Sequence, residues 1–153
     1  MSTEQNKTIS DPLLDPRKMN MVQRPWARGT IVAIIGAIAS AYILTLLPKP
    51  FARDILVALV GYFGGVYMGL GLSTDSAKKA ALEYAVSGAF FGLSLAGLWL
   101  SPWFLALACF AHAAWDAAHH PKALDIFVRP WYVPTCVVYD ILMGTFVLLW
   151  WWR

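Results

Sequence analysis

Residues 111–122 read AHAAWDAAHHPK and hold every histidine of the chain, His112, His119 and His120, with Asp116 between them. On a helix turning about 100° per residue, His112, Asp116 and His119 fall within about 60° of one another. His120 lies a step further round, Cys109 is near the same face and Trp115 flanks it. Imidazole and carboxylate at i, i+3 and i, i+4 spacing can hold one metal ion from one helix face, as paired helical ligands do in zinc enzymes. The same groups can relay protons, because histidine titrates near neutral pH, or act as general acid and base. At about 1.5 Å of rise per residue, His112 and His119 stand about 10 Å apart along the axis, too far for one ion. The better metal set is His119 or His120 with Asp116 and Asp140. His112 is then left to orient a ligand or handle protons, with Glu83 as a second acid–base candidate. Alternatively Asp116 orients a ligand histidine rather than binding itself. Histidine with carboxylate suits one Zn, Fe or Mn ion better than Ca.

Other chemistries find little here. Di-iron desaturases and hydroxylases are matched only by the adjacent His119-His120 pair, and they need several more histidine boxes. Two histidines from facing helices cannot ligate a haem within one copy, since all three share one helix. There is no His-Glu-x-x-His and no Gly-x-Ser-x-Gly, so a metalloprotease or a serine hydrolase has no motif to stand on.

The elements that must position these residues belong to a membrane protein. The chain of 153 residues is 59% hydrophobic and 14% charged, with a mean hydropathy of +0.57; soluble domains are nearer a quarter charged. The length suits one domain. The net charge of +3 needs no nucleic-acid partner. Cys109 and Cys136 both lie in apolar runs and read as small core residues, not a disulfide framework. Residues 1–28 are polar, contain no apolar stretch with a small-residue cleavage site, and read as a partly disordered cytoplasmic tail.

A spanning helix needs about 20 mostly apolar residues. Five such spans follow the tail, at about 29–48, 55–74, 80–100, 103–120 and 134–152. Glu83 lies near the start of the third and Asp140 within the fifth. Ser101-Pro102 makes a tight reversal before the fourth, because proline cannot continue the helical ladder. The expected fold is all-α, an integral membrane five-helix bundle. Lysine and arginine set its orientation. With the N-terminus cytoplasmic, that side holds Lys7, Arg17, Lys18, Arg24, Arg28, Lys78, Lys79, Lys122 and Arg129; the other holds only Lys49, Arg53 and Arg153. The C-terminus is then outside, and the location is the inner membrane of a bacterium. Gly61, Gly65 and Gly69 make a smooth stripe on the second span, matched by Gly29, Ala33, Ala37 and Ala41 on the first. Small residues let membrane helices approach closely, so the first two spans are expected to cross there, with a homodimer face as the alternative.

A charge at the bilayer centre costs at least about 2.5–3.5 kcal/mol on insertion scales. Ionisable groups on three neighbouring spans must therefore pair, coordinate or be hydrated. The expected site is one cavity in the cytoplasmic half, formed by Glu83, Ser87, His112, Asp116, His119 and Asp140, with Tyr84 and Tyr139 beside it. The bland alternative is that Asp140 bonds His112 or Trp115 as interhelical glue.

The pattern His112-Ala-Ala-Trp115-Asp116-Ala-Ala-His119-His120-Pro121, followed by Arg129-Pro-Trp-Tyr-Val-Pro134 and Tyr139-Asp140, resembles a family of small bacterial multi-span membrane proteins of unknown function. The resemblance covers about residues 50–150. It implies a compact helical membrane protein and brings no activity, substrate or cofactor. Three functions stay open. One is a metal-assisted enzyme or cofactor-binding protein acting on a lipid-phase small molecule. The others are an accessory or assembly subunit of a larger membrane complex, and a proton-coupled transport component.

Overall fold

The charge-poor runs fold as helices. The computed structural model describes residues 24–119, 129 and 131–152. Five α-helices follow one another: α1 Pro25–Thr45, α2 Lys49–Leu72, α3 Ala77–Trp99, α4 Trp103–Ala118 and α5 Tyr132–Trp152. Two of them open on proline, Pro25 in α1 and Pro50 in the first turn of α2, where the missing N–H is not needed and the fixed φ is already helical. Both therefore begin upstream of the uncharged runs, and α2 takes Arg53 and Asp54 into its first turns. The side chain of Ser76 accepts from the backbone N–H of Lys79 at 3.5 Å and caps α3.

Four helices, α1, α2, α3 and α5, are long and apolar enough to cross a membrane. Much of their surface is apolar and exposed, including Ile35, Ile38, Tyr62, Leu72 and Trp99. Lipid, not water, suits such a surface, and the composition is that of a membrane protein. α4 is shorter than the fourth span expected at about 103–120. It has 16 residues, about 24 Å at about 1.5 Å per residue, short of the roughly 30 Å hydrocarbon layer. Its last backbone turn closes at His119, whose N–H bonds the carbonyl of Asp116. α4 is also the helix most wrapped by others: Leu105, Ala106, Ala108 and Cys109 are fully buried.

The helices form a ring in which α1 packs on α5, α5 on α4, α4 on α3, α3 on α2 and α2 on α1, with α2 also touching α4 across it. Small residues set the close approaches, but not the ones expected. α2 leans mainly on α3, and only lightly on α1. A Cβ at Gly64 would stand 3.0 Å from the Ser87 carbonyl and 3.2 Å from the Phe91 ring, whereas one at Gly65 or Gly69 would meet nothing within 4 Å. Gly61 borders Ser94 and Phe91 more loosely, at 3.8 and 4.0 Å. The stripe of α1 serves α5 instead. Gly29 lies against the Trp131 carbonyl and Thr135, Gly36 against Tyr139, and the Tyr139 hydroxyl donates to Ser40 Oγ at 3.0 Å. Ser94 ties α3 to α2 by donating to the Val57 carbonyl at 2.7 Å.

Candidate functional site

α4 carries the site because three of its polar side chains turn inward on successive turns. His112, Asp116 and His119 are all buried, as are Glu83 of α3 and Asp140 of α5. Ionisable groups removed from water need partners, and the structure supplies them in two clusters.

The first joins α4, α5 and α2. His112 Nδ1 lies 2.5 Å from Asp140 Oδ2 and 3.9 Å from Asp116 Oδ2. The Tyr67 hydroxyl donates to Asp116 Oδ1 at 2.8 Å. Phe63 stacks on the imidazole of His112, ring centroids 3.9 Å apart, and Phe90 meets it edge-on at 5.6 Å. The Cys136 thiol lies beside the Asp116 carboxylate and the Tyr132 hydroxyl; both cysteines are free. One ligand atom each from His112, Asp116 and Asp140 falls within 4.8 Å of the other two. Among the described residues, His112 Nε2, Asp116 Oδ2 and Asp140 Oδ1 are buried with no hydrogen-bond partner. Three such atoms in one cluster is unusual, since nearly all buried polar atoms in folded proteins are bonded.

The second cluster joins α4 to α3. His119 Nε2 is 3.2 Å from Glu83 Oε1, and Trp115 Nε1 donates to Glu83 Oε2 at 3.5 Å. His119 Nδ1 is 2.9 Å from the carbonyl oxygen of Trp115. A carbonyl only accepts, so Nδ1 carries a hydrogen. The contact between Nε2 and Glu83 ties α4 to α3. Tyr67 links the two clusters, its ring 5.3 Å from that of His112 and 6.1 Å from that of His119.

A pocket of about 310 Å³ opens beside them. It is lined by Val66 and Leu70 of α2, Asp116 and His119 of α4, Tyr132 and Val133 of α5, and Arg129 just before α5. The same end of the bundle presents the exposed cations Arg24, Arg28 and Lys78.

The expected residues are thus brought together in a different grouping. His112, expected to handle protons, sits with Asp116 and Asp140. His119, expected with them, faces Glu83. His120, Pro121 and Lys122 lie outside the described residues. Of the two tyrosines expected nearby, Tyr139 is half-buried and bonded to Ser40, and Tyr84 is exposed, covering Gly71. Ser87 is buried with its hydroxyl unpartnered among the described residues. Sequence reasoning missed Tyr67, Phe63 and Cys136. The only signal for the first two was a pair of aromatics at i, i+4 in α2, which in an apolar span reads as ordinary packing.

No curated protein and no solved structure matches the chain. Residues 28–151 match a family of unknown function, DUF6010. That match takes in all of α2 to α4 and nearly all of α1 and α5, so the chain belongs to this family.

Proposed function

We propose that this protein is a bacterial inner-membrane protein, N-terminus inside, that holds one Zn, Fe or Mn ion between His112, Asp116 and Asp140. It uses the ion on a small molecule drawn from the lipid phase. The observation that carries the reading is the buried cluster itself, one ligand atom each from these three residues within 4.8 Å of the other two, with an oxygen of each carboxylate left without a partner among the described residues. Buried charge without a partner is costly, and one divalent cation would satisfy two carboxylates and an imidazole together.

The distances bear on the fit. Ligands at about 2.1 Å around a tetrahedral ion stand about 3.4 Å apart. His112 to Asp116, at 3.9 Å, would close slightly, and His112 to Asp140, at 2.5 Å, would open by less than a side-chain rotation supplies. Asp116 faces the pocket, so a substrate oxygen there would meet the ion as a Lewis acid. His119, which lines the same pocket and is held by Glu83, would serve as the general acid.

A second reading rests on the 2.5 Å contact itself. Without an ion, Asp140 holds the hydrogen on His112 Nδ1 and leaves Nε2 as a free base, the arrangement by which a carboxylate orients a catalytic imidazole. Elemental analysis of protein purified in mild detergent separates the two. The metal reading expects near one ion per chain, lost in Asp140→Asn and kept in His119→Ala. Metal-free protein that rebinds no ion supports the second reading instead.

A further inference from the structure

The pocket beside Asp116 has a polarity that selects its occupant. Its walls are apolar, formed by Val66, Leu70 and Val133. Its base carries Asp116 and His119, both at least nine-tenths buried, and Asp116 Oδ2 has no partner among the described residues. Its mouth carries Arg129, exposed at the N-terminal end of α5. That helix starts at Tyr132, also a lining residue, and a helix N-terminus adds partial positive charge. A carboxylate at the base repels an anion, whereas a guanidinium and a helix N-terminus at the mouth attract one. The apolar walls between them exclude a fully polar solute.

We infer that this pocket binds a single-chain amphiphile whose anionic head, a carboxylate or a phosphate, pairs with Arg129 while its apolar body lies on Val66, Leu70 and Val133. The volume of about 310 Å³ sits at the lower end of small-molecule sites, which favours a medium-length chain over a two-chain lipid. The carbon that reaches Asp116 and His119 is then in the body, not at the charged head. This names the substrate class of the centre proposed above and rests on that reading for its reactivity, though not for its binding.

The test uses the full chain in phosphatidylcholine nanodiscs, with decanoate, decyl phosphate and decanol as labelled probes and empty discs as the partition control. Both anions are expected to bind saturably, and decanol at least tenfold more weakly. Arg129→Gln should bring the anions down to the level of decanol, and Val66→Trp, which fills the pocket, should weaken all three. If decanol binds as tightly as the anions, or if Arg129→Gln leaves their advantage intact, the inference is overturned. A tenfold preference for decyl phosphate over decanoate assigns a lipid-phosphate head, the reverse a fatty-acid head; both uphold the shared chemistry. Ion content is measured on the same samples. Bound ion without saturable amphiphile binding sinks this inference alone, and amphiphile binding without an ion sinks the metal reading alone.

Discussion

Removing one oxygen from Tyr67 measures what kind of group Asp116 is. Tyr67→Phe keeps the ring, its stacking on His119 and its contacts with His112 and Phe90. It deletes only the hydroxyl that donates to Asp116 Oδ1 at 2.8 Å. Since Asp116 Oδ2 already lacks a partner among the described residues, the variant leaves both oxygens of a buried acid unsatisfied on the protein side. Neutral interhelical hydrogen bonds in membranes average about 0.6 kcal/mol. A hydrogen bond to a charged group is worth about 1.5–3 kcal/mol. A carboxylate kept for metal binding therefore predicts a loss of about 1.5–3 kcal/mol in metal-free protein, read by reversible unfolding in mixed micelles. The same variant should weaken metal affinity about 10–100-fold, the usual cost of losing a group that orients a ligand, measured by competition with a chelating dye. A stability loss near 0.6 kcal/mol with unchanged metal affinity would falsify the reasoning and reduce Tyr67–Asp116 to glue.

Two further variants probe the frame. Gly64→Ala places a methyl 3.0 Å from the Ser87 carbonyl and should cost about 1–3 kcal/mol through overpacking. Gly65→Ala, with open space around it, should change stability by less than about 0.5 kcal/mol; equal losses at both sites would contradict the packing described. Glu83→Ala strands His119 and should cost about 3–5 kcal/mol. Adding His119→Ala should cost little more, giving a coupling above about 1 kcal/mol in a double-mutant cycle. Strictly additive losses would mean that the two side chains do not interact.

Much of the frame can be read from charge alone. Runs without a charged residue between Arg28, Lys49, Asp54 and Asp75 announce helices, and Ser101-Pro102 announces the reversal before α4. The inward polar stripe of α4 is legible too, because ionisable groups in an apolar helix are too costly to face lipid. The pairing is not. Helical spacing places His112 and His119 on one face, but which carboxylate each meets depends on how α4 sits between α3 and α5. The glycine pattern fails for the same reason. Gly61, Gly65 and Gly69 share a face, yet of these only Gly61 borders α3, and the closer approaches to α3 are at Gly64 and Gly71, two turns apart. Spacing identifies a surface and not the neighbour that covers it.

X-ray absorption at the metal edge, on zinc-loaded protein in nanodiscs, reads the ligands of the proposed centre directly. The account predicts one imidazole nitrogen and carboxylate oxygens at about 2.0–2.2 Å, with the imidazole signature lost in His112→Ala and retained in His119→Ala. A spectrum lacking imidazole, or one that His119→Ala changes and His112→Ala does not, would contradict it.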